Sequence, residues 1–217
     1  MRKTLFSGIA ACLLATAATA AEQSPSVIWT VGQADRSASE FALAPDRFRD
    51  FLANDFGYED KYFLVGHSVP AADFPYVLPG PADTWGGTWP TSGWRTHQVN
   101  ILFGLKEIPS DGTCTLVVDL LDYAKNFLPL VKVSVNTQDA KFQLDAPGLS
   151  VADQRKPNQM EKIVDTLSIT GNLAKATPRR LEIPIRPGVL KAGGNEVTIT
   201  VLEGSWILFD RVSLEGP

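Results

Sequence analysis

From Val99 onward the chain alternates apolar and polar residues with period 2, the spacing that puts every second side chain on one face of a β-sheet. Val99, Ile101, Phe103 and Leu105 form one stripe; Leu116, Val118 and Leu120 a second; Val131, Val133 and Val135 a third; Leu181, Ile183 and Ile185 a fourth; Val197, Ile199 and Val201 a fifth. Turn signals separate them. The Asp-Gly step of Ser110-Asp111-Gly112-Thr113 suits the positive φ angles of a tight hairpin, and Gly193-Gly194-Asn195 plays the same part before the fifth stripe. Short strands without regular intervening helices favour an all-β sandwich or jelly roll over a parallel α/β sheet. At 217 residues with 44% hydrophobic and 20% charged content, the chain has the length and composition of one folded domain.

The amino-terminal third is less regular. Val27 to Val31 and Tyr62 to Val65 read as strands. Phe48, Phe51, Leu52 and Phe56 fall at helical spacing after Pro45-Asp46, which predicts a short helix near residues 46–56 inserted against the sandwich. The stretch 66–97 holds five Pro and five Gly, too many breakers for regular structure, and reads as one long loop. Loops of that length in compact domains are usually functional.

Residues 1–20 have the pattern of a secretory signal peptide: Arg2 and Lys3, an apolar run from Leu5 to Leu14, and a small-residue exit at Ala18-Thr19-Ala20. The run is too short to span a bilayer, which takes roughly 20 residues. Cleavage after Ala20 is expected, leaving residues 21–217 as a single secreted or periplasmic domain with no membrane segment. A second reading places a lipid on Cys12 behind Ile9-Ala10-Ala11. Removal of Arg2 and Lys3 takes the formal charge from −4 to −6. With no basic block on an acidic chain, nucleic acid is excluded as a partner. Two Cys and two His exclude zinc-finger and redox CxxC frameworks. Cys114, alone after cleavage and at the start of an apolar stripe, reads as a buried thiol.

Three of the five tryptophans, Trp85, Trp89 and Trp94, crowd into the long loop. A flat indole covers the C–H face of a sugar ring while neighbouring polar groups bond its hydroxyls. Phe74, Tyr76, Asp83, Arg95 and His97 lie close enough in sequence to add surface or polar contacts. The competing reading is that the tryptophans cap the sandwich's own core. Asp210 shares strand parity with Trp206, Leu208, Val212 and Leu214, so its carboxylate is expected to point inward. A buried charge needs backbone donors, a cationic side chain or a cation; calcium, which takes six to eight oxygens, could draw on Glu40 and Asp210. His97 two residues after Arg95 could abstract a proton beside a uronate whose carboxylate Arg95 neutralises. No GxSxG, HExxH, P-loop or GxGxxG pattern occurs.

Val27-Ile28-Trp29-Thr30-Val31-Gly32 with Glu40-Phe41, Tyr62-Phe63-Leu64-Val65-Gly66, Asp73-Phe74-Pro75-Tyr76 and Trp85 resemble the carboxy-terminal domain of rhamnogalacturonan lyases of polysaccharide lyase family 4. Leu190 to Ile199, with its Leu-x-x-Gly-x-Asn turn, and Leu208 to Glu215 look like that domain's last two strands. The resemblance spans most of residues 26–216. It implies a galactose-binding-like jelly roll of carbohydrate-binding type, found behind a catalytic domain. The signal peptide runs almost directly into Trp29, so no lyase domain is expected ahead of it, and the helix-like stretch departs from the family's simplest form. Three functions follow as expectations. One is a non-catalytic module binding pectin-like or other plant polysaccharide or oligosaccharide through Trp85, Trp89, Trp94, Tyr76, Asp83 and His97, with no cofactor unless calcium binds. Another is a small lyase using His97 and Arg95. The last is an interaction module docking on a protein partner.

Overall fold

The computed structural model describes residues 26–45, 61–83, 98–109, 113–145 and 168–216. In chain order these form β1 (Ser26–Gly32), β2 (Lys61–Leu64), α1 (Pro70–Asp73), β3 (Val77–Leu78), β4 (Gln98–Leu105), β5 (Thr115–Tyr123), β6 (Leu130–Val135), β7 (Gln138–Gln143), a 3₁₀ turn (Leu173–Lys175), β8 (Arg179–Pro184), β9 (Gly193–Glu203) and β10 (Ile207–Gly216). The strands pair into two sheets that make a jelly-roll-like sandwich. The first sheet has the order β1-β10-β5-β8, with β3 continuing along the side of β10 that β1 occupies; the second has the order β2-β4-β9-β6-β7.

The alternating stripes are the inner faces of these sheets. Val99, Ile101, Val131, Val133, Val135, Val197 and Ile199 of the second sheet are fully buried, and Leu116, Val118, Leu181 and Ile183 of the first face them across the core. Val131, Val133, Val135, Val197 and Ile199 alternate with polar residues because only one side of each strand is covered, whereas β5 is buried along almost its whole length. Aromatic side chains fill the space between layers. Trp29 meets Phe103 at 5.2 Å, and Phe74 packs against Phe41, Phe63 and Phe209 at 5.5, 5.7 and 5.1 Å. Gly32 (φ +79°) ends β1 because a Cβ there would sit 2.3 Å from the Phe41 ring and 2.6 Å from the Asp210 carbonyl. Cys114 is a buried free thiol, and burial raises its pKa.

Three expectations are corrected. β4 and β5 lie in different sheets, so the connection bearing Asp111-Gly112 crosses between layers rather than closing a hairpin. β8 and β9 are likewise in different sheets, and Gly193 (φ +85°) opens β9 after a crossing. The tight hairpin is instead β6–β7, where Val135 pairs with Gln138 and Asn136 takes a left-handed φ of +48°. The stretch 66–83 is not one irregular loop. It carries α1, which has Pro at its start, and β3, which pairs with β10, and it buries Phe74, Tyr76, Val77 and Leu78. The helix expected near residues 46–56 lies outside the described residues, as does the signal peptide. Among the described residues no helix is long and apolar enough to cross a membrane.

Candidate functional site

Trp85, Trp89, Trp94, Arg95 and His97 lie outside the described residues, but both stems of their segment are placed. The incoming stem is clamped. Gly80 N–H donates to Asp83 Oδ2 at 2.7 Å, Ser205 Oγ donates to Asp83 Oδ1, and Ala82 N–H donates to the Gly204 carbonyl at 2.9 Å. Gly204 (φ +82°) admits no Cβ, which would lie 2.3 Å from the Leu128 carbonyl. The outgoing stem is Gln98, paired with Thr200 on β9. Both stems therefore sit at the end of the sandwich where β9 turns into β10 and where Phe127, exposed, follows β5.

This geometry places three of the residues expected to add sugar contacts. Tyr76 is fully buried, with its hydroxyl donating to the Ile169 carbonyl at 2.9 Å and its pKa pushed well up by burial. Phe74 is likewise core. Asp83 is buried with each carboxylate oxygen accepting a hydrogen bond, so it holds the stem rather than facing a ligand.

Asp210 is buried beside a tight segment that joins β1 to Phe41. Its Oδ1 accepts the N–H of Arg36, a residue in the left-handed region at φ +65°. Burial pushes its pKa up to about 6, with Asp35, Asp119 and Glu40 adding to the rise and the Arg36 N–H opposing it. Glu40 turns to a different task, accepting Gln33 N–H at 2.9 Å. Among the described residues no group of three or more His, Cys, Asp or Glu side chains is placed to hold a metal ion. The parity argument that aimed Asp210 inward does not hold along the whole strand. The β10–β5 register skips Asp210 and Leu121, so a bulge at each resets the alternation.

The Leu190-x-x-Gly193-x-Asn195 turn has a physical reason. Asn195 Nδ2 donates to the Lys191 and Gly193 carbonyls at 2.8 and 3.0 Å, and its Oδ1 accepts Lys191 N–H at 3.0 Å. Asn136 Nδ2 donates to Asn195 Oδ1 at 2.8 Å and to the Val189 carbonyl at 2.7 Å, which ties the turn to the β6–β7 hairpin.

The family model for polysaccharide lyase family 4, domain III, described as CBM-like, matches residues 27–214. The chain belongs to this family. It is thus a domain of carbohydrate-binding type. Among curated proteins no sequence matches. Similar solved structures include a family GH115 4-O-methyl-α-glucuronidase with specificity for decorated arabinogalactans (14% identity, 58% of this chain and 15% of that one, TM-score 0.33). A ruminal GH26 endo-β-1,4-mannanase is similar over 66% of this chain and 26% of that one, with 17% identity and a TM-score of 0.32. The cycloalternan-forming enzyme from Listeria monocytogenes is similar over 54% and 8%, with 17% identity and a TM-score of 0.29. The chain spans about a quarter or less of the length of these proteins.

Proposed function

We propose that the protein is an exported, non-catalytic carbohydrate-binding module that recognises a pectin-like polysaccharide such as rhamnogalacturonan through the segment bearing Trp85, Trp89, Trp94 and His97. The observation that carries this reading is membership of a CBM-like family over nearly the whole described chain. The clamp of Asp83, Gly80 and Ser205 supports it, because a fixed stem lowers the cost of ordering an aromatic segment on a ligand. Export rests on the signal-peptide pattern of residues 1–20.

Affinity electrophoresis of residues 21–217 in gels containing pectic polysaccharides tests it. Retention of the parent and weaker retention of Trp85→Ala, Trp89→Ala or Trp94→Ala is expected. Unchanged retention of all three variants removes the segment from the site. Growth of an unsaturated product absorbing in the ultraviolet, lost in His97→Ala, would replace the binding module with a lyase.

A further inference from the structure

The outer face of the second sheet has two features that folding does not require. Gly104 of β4 and Gly194 of β9 stand directly opposite one another. Neither has a positive φ, and a Cβ built on either would meet nothing within 4 Å. Glycine inside a strand weakens it and often marks a place where a ligand approaches the backbone. Here neither backbone conformation nor crowding explains the pair. Above it lies a trough of about 420 Å³, walled by Leu64, Leu102, Asn136, Lys191 and Glu196. That volume falls within the roughly 300–1,000 Å³ of small-ligand clefts.

The same face continues along β4 as a row of uncharged hydrogen-bonding groups. Thr200 Oγ1 donates to Gln98 Oε1 at 3.2 Å, Gln98 Nε2 donates to Asn100 Oδ1 at 3.0 Å, and Thr198 Oγ1 donates to the same oxygen at 2.9 Å. These bonds fix the orientation of the Asn100 amide, because its oxygen must face two donors. Its Nδ2 is buried with no acceptor among the described residues, and Asn100 as a whole is 1% exposed. An unmet buried donor is costly. Tyr62, paired in register with Asn100 on the edge strand, is 57% exposed, and Leu64 beside Leu102 is 43% exposed.

We propose that this face is a glycan-binding trough. A sugar ring lies over the Gly104–Gly194 pair, and the chain runs along the β2 edge past Leu64 and Tyr62. The proposal rests on the carbohydrate-binding reading and adds a site to it. The occupant is an uncharged glycan segment. The hydrogen-bonding row carries no charge, and Lys191 and Glu196 at the trough oppose one another in sign. Tyr62, exposed on the edge strand, supplies an aromatic platform beside the trough.

The test is affinity electrophoresis of Gly104→Leu and Gly194→Leu in gels containing β-1,4-galactan or polygalacturonate, with Tyr62→Ala as a variant that leaves the backbone alone. The expected result is at least tenfold weaker retention on galactan for the filled variants and several-fold weaker for Tyr62→Ala, each with a melting temperature no lower than the parent's by more than a few degrees. Parent-like retention of both well-folded filled variants and Tyr62→Ala overturns the trough while leaving the carbohydrate reading standing. A loss confined to polygalacturonate overturns the uncharged occupant. Should the parent bind neither glycan nor any other polysaccharide in a broad panel, both the trough and the reading beneath it fall. Intact glycan retention together with loss of self-association in sedimentation would make the face a protein interface and overturn the proposal.

Discussion

The outer faces of the two sheets handle polar groups in opposite ways. On the first sheet Arg211 Nε donates to Asp119 Oδ2 at 2.9 Å and its Nη2 to Glu215 Oε1 at 3.2 Å, while Arg180 reaches Asp119 at 3.5 Å and Glu215 at 3.7 Å. Ser213 Oγ donates to the same Glu215 oxygen, and Asp119, Ser213 and Glu215 are all buried. The β4–β9 half of the second sheet presents amides, hydroxyls and two open glycines, with one buried donor unmet, while the Lys132–Asp139 ion pair lies on its β6–β7 half. A face whose charges are covered and mutually paired is committed to stability. A strip with uncharged groups and open glycines at its end remains available to a ligand.

Breaking the first face should have the largest effect. Asp119→Ala strips Arg211 of its shortest ion pair in a mostly covered setting, and we expect a loss of about 3 kcal/mol in urea unfolding. A loss under about 1 kcal/mol would mean the network is as solvent-screened as an ordinary surface pair.

Asp210, next to Arg211 but skipped by the ladder, is the exception on the same strand. Burial raises its folded carboxyl above the unfolded value near 3.9, so the folded state holds the proton more tightly. The penalty is absent below about pH 4, builds as pH rises through about 6, and is complete above that. Asp210→Asn, which keeps an oxygen for Arg36 N–H, should therefore be more stable than the parent by about 2 kcal/mol at pH 8, and the difference should vanish toward pH 4. A difference independent of pH would remove the titration of Asp210 from the account.

On the second sheet the effects on stability should be small. Thr198→Val removes one of two donors to Asn100 Oδ1 and should cost about 1 kcal/mol. Gly104→Ala should raise stability by about 0.5 kcal/mol, since Ala is favoured over Gly inside a strand. Destabilisation would show that a close contact depends on that glycine.

The sequence reveals the strands that bury one face and hides those that bury two. Val131-Lys132-Val133 and Val197-Thr198-Ile199 alternate because water covers one side of each strand. Val117 and Leu121 of β5 are as buried as Leu116 and Val118, so period 2 is blurred there, and the bulges at Leu121 and Asp210 reset it. Asp111-Gly112 has the chemistry of a hairpin, but which sheet the next strand joins is decided by core packing. Tyr76 and Asp83 stand near the tryptophans in sequence, yet neighbours in a chain need not share a surface. The trough was illegible for a related reason. Asn100, Gly104, Gly194 and Thr198 look like ordinary outward positions until the β4–β9 register sets Gly104 against Gly194 and Asn100 against Thr198.

The contrast between the two faces is tested most directly by an amide-resolved NMR titration of the intact chain with a neutral galactan oligosaccharide. The account predicts saturable shifts at the Gly104 and Gly194 backbone amides and at the Tyr62 and Leu64 backbone amides, with Asp119, Arg211 and Glu215 unmoved. Shifts confined to the first sheet, or none on either face at saturating ligand, would contradict it.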